Sequence, residues 1–94
     1  MAKSKLIKLY DEAAPLVKGI FANDLRIRII LALDEKAMFL DEIADFCESS
    51  EPGTKRELVE LEKVGAIQCI DEIYSLTHTL GAPTARFIKN HSMH

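Results

Sequence analysis

At 94 residues the chain is one small domain with room for a single modest core. Hydrophobic residues make up 48% of it and charged residues 29%, the balance of a folded protein and not of a disordered one. No stretch approaches the ~20 apolar residues of a helical membrane span, and the N-terminus lacks the uninterrupted apolar run of a secretory signal, so a cytoplasmic protein is expected. Cys47 and Cys69 form no CxxC pair and fall inside predicted elements, which suggests buried free thiols in a reducing compartment. The net charge of −3 is unevenly spread. Residues 34–72 carry four bases against twelve acids, whereas the segments on either side are each net positive.

In chain order, the first predicted element is a helix over 3–21, with Leu6, Leu9, Tyr10, Ala13, Val17 and Ile20 at helical spacing. Pro15 disfavours helix at Ala14 and predicts a kink or two short helices there. Asn23 or Asp24 can cap a second helix, "DLRIRIILALDE", with Ile27, Ile30 and Leu31 inward and Arg26 and Arg28 outward. "KAMFL" reads as a short extended piece. Asp41 then caps a third helix, "DEIADFCES", whose Ile43, Ala44, Phe46 and Cys47 can face the core. In the fourth helix Ser50 can be the cap, with Glu51 and Pro52 in the first turn; alternatively Thr54 caps it and Glu57 completes a capping box. Thr54, Leu58 and Leu61 share its inner face, and Gly65 is a left-handed stop. "AIQCI" and "IYSLT" read as a hairpin that pairs Ile70 with Ile73, Cys69 with Tyr74 and Ile67 with Leu76. Its Asp71-Glu72 link lacks the glycine of a tight two-residue turn and predicts a looser one. After Gly81, "PTARFIKNH" forms a last short helix from Pro83.

The order helix, helix, short strand, helix, helix, hairpin, helix is that of a winged helix-turn-helix: a mostly α domain with a small β-hairpin. Three stretches also resemble the ArsR-type bacterial and archaeal repressors. "ANDLRIRIILAL" (Ala22–Leu33) is similar to that family's A-D-P-T-R-L-R-I-L-x-x-L opening. "EIADFCESSEPGTKRELVELEKVGAI" (Glu42–Ile67) aligns without gaps to E-L-A-E-A-L-G-L-S-Q-S-T-V-S-R-H-L-K-V-L-R-E-A-G-L-V, and "IYSLT" resembles the strand that ends Y-Y-S-L. The resemblance implies a sequence-specific, DNA-binding transcriptional regulator. It also implies a homodimer paired through its terminal helices, 3–21 and 83–90, which would place Leu6, Leu9, Tyr10, Ala13, Val17, Phe87 and Ile88 at the interface.

Two departures bear on function. Where the family's metal sensors carry C-V-C, this chain has Phe39, Leu40 and Asp41, so that metal site is missing. The wing is shorter than the family's, and Asp71-Glu72 replaces a loop that is usually basic. The candidate DNA contacts are Ser49, Ser50, Gly53, Thr54, Lys55 and Arg56, with Arg56 able to read guanine and Lys55 to hold phosphate. Yet the same helix carries Glu51, Glu57, Glu60 and Glu62. The competing expectation is a protein-interaction module that docks its acidic helix and wing on a basic partner. His91 and His94 have the spacing of a helical ligand pair but lie at the end of the chain, and His78 stands alone, so no metal is expected. No carboxylate pair, nucleophile–base set or phosphate loop stands out; neither an enzyme nor a cofactor is expected.

Overall fold

The computed structural model describes residues 23–92. The expected helix over 3–21, with its kink or division into two short helices at Pro15, lies outside them. Helix α1 (Asp24–Glu35) is capped by Asn23, whose side chain accepts from the Arg26 N–H at 2.9 Å. It is the central helix, in contact with the next two helices, the last helix and the second strand. That is why its buried residues are Ile29, Ile30, Ala32 and Leu33, a wider face than the expected one. Ile27 and Leu31, expected inward, pack only partly buried at the core's margin.

Helix α2 (Leu40–Phe46) starts a residue before the expected Asp41 cap. Phe39 is the N-cap, and the Glu42 carboxylate reaches back to accept its N–H at 3.0 Å. With only seven residues, α2 turns Ile43 and Ala44 to the core. Phe46, expected beside them, is instead 55% exposed. Glu48, at φ 54°, reverses the chain, and the Ser49 N–H closes the turn on the Ala44 carbonyl at 2.9 Å. Helix α3 (Glu51–Lys63) follows at once. Ser50 is its cap, accepting from the Gly53 N–H at 3.1 Å, so the alternative start at Thr54 is not used. Gly65 takes the left-handed stop at φ 84°.

Strands β1 (Ile67–Ile70) and β2 (Ile73–Leu76) pair antiparallel in the expected register. The turn between them is tighter than expected. Asp71 and Glu72 both adopt positive φ, 52° and 67°, the backbone of a two-residue hairpin despite the missing glycine. Met38, in the expected extended piece, bonds Tyr74 in both directions and closes the outer edge of β2. Helix α4 (Gly81–Ser92) begins two residues before Pro83, because the Thr77 hydroxyl accepts from the Leu80 and Gly81 N–H groups and organises its entry. A proline in the first turn costs no helical hydrogen bond. A Cβ on Gly81 would stand 2.1 Å from the Ala66 carbonyl, so only glycine lets α4 pass the start of the wing this closely.

Ile29, Ile30, Ile43, Leu58 and Leu61 are fully buried and join α1, α2 and α3 into one core, closed by Met38, Ile67, Tyr74, Ala85 and Ile88. The result is the mostly helical winged helix-turn-helix that the sequence led us to expect. It presents α3 and the wing side by side.

Candidate nucleic-acid interface

The turn between α2 and α3 is pinned by short-range hydrogen bonds. Thr54 donates its hydroxyl proton to the Ser50 carbonyl at 2.7 Å, and its Oγ1 also meets the Ser49 hydroxyl. Thr54 is fully buried, so it holds the turn together and offers no side chain to a ligand. Gly53 has its own local reason: a Cβ there would come within 2.9 Å of the capping Ser50 oxygen. Ser50 and Gly53 therefore build the start of α3, while Ser49 stays partly accessible beside it.

Around α3 the inner face is Thr54, Leu58 and Leu61, and the outer face is Glu51, Pro52, Lys55, Arg56, Val59, Glu62 and Lys63. The four glutamates are not equivalent. Glu57 is turned toward α1, where it accepts from Arg26 Nε at 3.2 Å and from the Asn23 side-chain amide at 3.1 Å. Its side chain is only 12% exposed, and that of Arg26 only 16%. This corrects the expectation that Arg26 points outward. Glu60 is met by the Lys63 ammonium at 3.3 Å, one helical turn on. The outer face then presents Glu51 and Glu62 with Lys55 and Arg56, a balanced surface where the bare sequence counts an excess of acid.

The two adjacent bases also differ. Lys55 reaches over the hairpin, where its Nζ donates to the Tyr74 hydroxyl at 2.7 Å and lies 5.4 Å from the centre of the ring. That hydrogen bond raises the ammonium's pKa above the usual lysine value. Arg56 lies about 100° further round the helix and is exposed. Sequence reasoning singled out Lys55 but missed Tyr74 as its partner. It named Asn23 as a possible cap of α1 but missed that the same side chain steadies Glu57.

Beside Lys55 an open groove runs between the starts of α2 and α3 and the hairpin, with Phe39, Leu40, Tyr74 and Cys69 in its lining. The carboxylates of Asp41, Glu51 and Glu72 line it too. Phe39, Leu40 and Asp41, the residues read against C-V-C in the sequence, bring no thiol to it. Cys69, expected buried, is exposed, since the wing is a two-stranded flap and the strand leaves the core after Ile67. Cys47 is buried, and burial pushes its thiol pKa up against the opposing pull of Arg28.

Of the expected dimer-interface residues, Leu6, Leu9, Tyr10, Ala13 and Val17 lie outside the described residues. Phe87 is half-buried, and Ile88 packs at 5% exposure against the chain's own core. His78 is exposed, and the His91–His94 pair falls beyond the described side chains.

No protein-family model matches this chain, and no curated protein sequence matches it. Among solved structures, the fold is similar to the transcriptional repressor BigR from Xylella fastidiosa, with a TM-score of 0.77 at 18% identity over 94% of this chain and 90% of that one. It is similar to the transcriptional regulator HlyU from Vibrio vulnificus CMCP6, with a TM-score of 0.75 at 18% identity over 96% of this chain and 97% of that one. It also resembles ZitR from Lactococcus lactis, with a TM-score of 0.70 at 22% identity over 76% of this chain and 53% of that one. At these identities the likeness establishes the winged helix-turn-helix fold.

Proposed function

We propose that this chain is a DNA-binding transcriptional regulator that sets the first turns of α3 into the major groove of double-stranded DNA. The observation that carries the reading is the placement of Glu57. A carboxylate that would repel phosphate is turned inward onto Arg26 and Asn23, while Arg56 is left on the outer face. Arg56 is the residue to read a base edge, with its forked guanidinium suited to guanine. Ser49 and Ser50, at the N-terminus of α3, are the candidate phosphate contacts, with Gly53 keeping the cap close by giving its N–H to the Ser50 hydroxyl oxygen. Thr54 is buried and Lys55 is held by Tyr74, so neither is counted with them. The structural neighbours support the reading, since BigR is described as a transcriptional repressor and HlyU as a transcriptional regulator.

The regulator acts as a cytoplasmic homodimer through its terminal helices, with neither catalysis nor a bound cofactor in its mechanism. Selecting sites from random duplex DNA tests the reading. A dimer should enrich a near-palindrome with half-sites about one helical turn apart. Arg56→Ala should relax one base position per half-site, by roughly 1–3 kcal/mol.

A second reading has its own support at the wing tip. Ile70 is 63% exposed, Ile73 is 37% exposed, and Asp71 and Glu72 sit between them. An acidic tip with two isoleucines suits a basic protein surface better than a phosphate backbone. Absence of any enriched duplex at low salt, together with a basic protein bound through this tip, would replace the first reading with the second.

A further inference from the structure

We infer that Tyr74 is a positioning residue that withdraws Lys55 from the DNA-contacting set, leaving Arg56 to face the groove alone; this rests on the DNA-binding reading. Three observations carry it. The Lys55 ammonium is held by a 2.7 Å hydrogen bond to the Tyr74 hydroxyl, beyond which it lies at 5.4 Å from the ring centre. Tyr74 cannot follow the lysine outward. It is 3% exposed, its backbone bonds Met38 in both directions, and its strand is locked to β1. Lys55 lines a groove shared with Glu51 and Glu72, and the charge of Glu62 on its own helix also favours the ammonium where it is.

The consequence is a division of labour between neighbours in sequence. Lys55 ties the second turn of α3 to the wing at Tyr74, one residue pair in from its turn. Arg56, about 100° round the helix, keeps its freedom to meet a base. A chain with two adjacent bases in a recognition helix thus neutralises fewer phosphates than its sequence suggests.

Salt dependence reads this directly, because each phosphate neutralised steepens the fall of log Kobs with log salt by about 0.9. The parent, Tyr74→Phe, Lys55→Ala and the double variant are titrated against one selected duplex over a series of potassium chloride concentrations. Tyr74→Phe keeps the buried ring and removes only the hydroxyl, so the fold persists. Lys55 is then released, and the slope should steepen by about 0.9 per protomer. Lys55→Ala should show the parental slope, and so should the double variant. A Lys55→Ala slope that is shallower by about 0.9 per protomer, with no change in Tyr74→Phe, would overturn the inference and leave DNA reading intact.

An independent readout needs no DNA. The Lys55 side chain, followed by NMR against pH, should titrate above the usual lysine value in the parent and drop back in Tyr74→Phe. Equal titration in the two overturns the contact itself. A protein that enriches no duplex defeats the DNA-binding reading and the DNA half of this inference with it, while the lysine titration still decides whether Tyr74 holds Lys55.

Discussion

Replacing Glu57 with alanine separates an inward-turned carboxylate from a solvated one. On α3 alone, Glu57 reads as a surface residue whose i,i+3 or i,i+4 pairing would contribute ~0.2–0.5 kcal/mol. In the structure it sits between α1 and α3, accepting from Arg26 Nε and from Asn23, with both ion-pair side chains more than four-fifths covered. Removing it leaves a largely covered guanidinium short of its carboxylate, and a hydrogen bond to a charged group is worth ~1.5–3 kcal/mol. The upper part of that range belongs to fully buried pairs, so about 2 kcal/mol is expected here. For a domain of this size that lowers the melting temperature by roughly 10 °C, at ~4–8 °C per kcal/mol. Urea melts of Glu57→Ala, Arg26→Ala and the double variant, at one fixed protein concentration, yield the coupling energy without the packing lost with the arginine stem. A coupling below about 0.5 kcal/mol would return Glu57 to the solvated face and remove the main support for a balanced α3 surface.

Other expectations concern the wing and the thiols. Asp71→Asn with Glu72→Gly places the preferred residues at two positive-φ positions and should raise stability by about 1 kcal/mol in a urea melt; no gain would argue against a tight turn. Gly65→Ala strains only the φ of 84° in open space and should cost ~1–2 kcal/mol. Gly81→Ala drives a methyl against the Ala66 carbonyl backbone and should cost more than about 3 kcal/mol; similar losses at the two sites would mean that α4 does not pass the wing so closely. Under native conditions a thiol reagent should modify exposed Cys69 promptly and buried Cys47 only on unfolding, as read by mass spectrometry.

The helix and strand order was legible because its signals are local. Ser50 as cap, Gly65 as stop and the pairing of Ile67 with Leu76 and Cys69 with Tyr74 each depend on nearby residues, and each appears in the structure. Most of the misreadings concern long-range packing. Spacing alone allots α1 one apolar stripe, whereas contact with three helices and a strand buries Ile29 and Ala32 and brings Arg26 inward as well. Phe46 lies outside because the inner face of α2 is Ile43, Ala44 and Cys47, and Phe46 falls about 100° round the helix from the middle of that face. The hairpin turn is tight because the Ile70–Ile73 pairing and the Met38 bridge impose it, whatever Asp-Glu would choose in isolation.

The site was legible as a segment and not as a surface. A count of charges along Glu51–Lys63 treats every glutamate as facing the same way, but a helix distributes them around its axis and the rest of the fold decides which directions are wet. Glu57 lies at the flank of the buried stripe, on the border between core and solvent. Which flank meets α1 depends on the packing of residues 31 positions away, and no local pattern encodes that. The same holds for Lys55, whose partner is 19 residues on and in another element. Both placements act on the question the sequence left open: one removes an acid from the outer face, and the other removes a base from free reach. The two placements cancel in net charge, so what they change is position: the acid lost from the outer face is Glu57, and the base left at free reach beside it is Arg56. The remaining acids, Glu51 and Glu62 on α3 with Asp71 and Glu72 at the wing, are then the ones whose replacement should change affinity for a polyanion, whereas Glu57 should change stability alone.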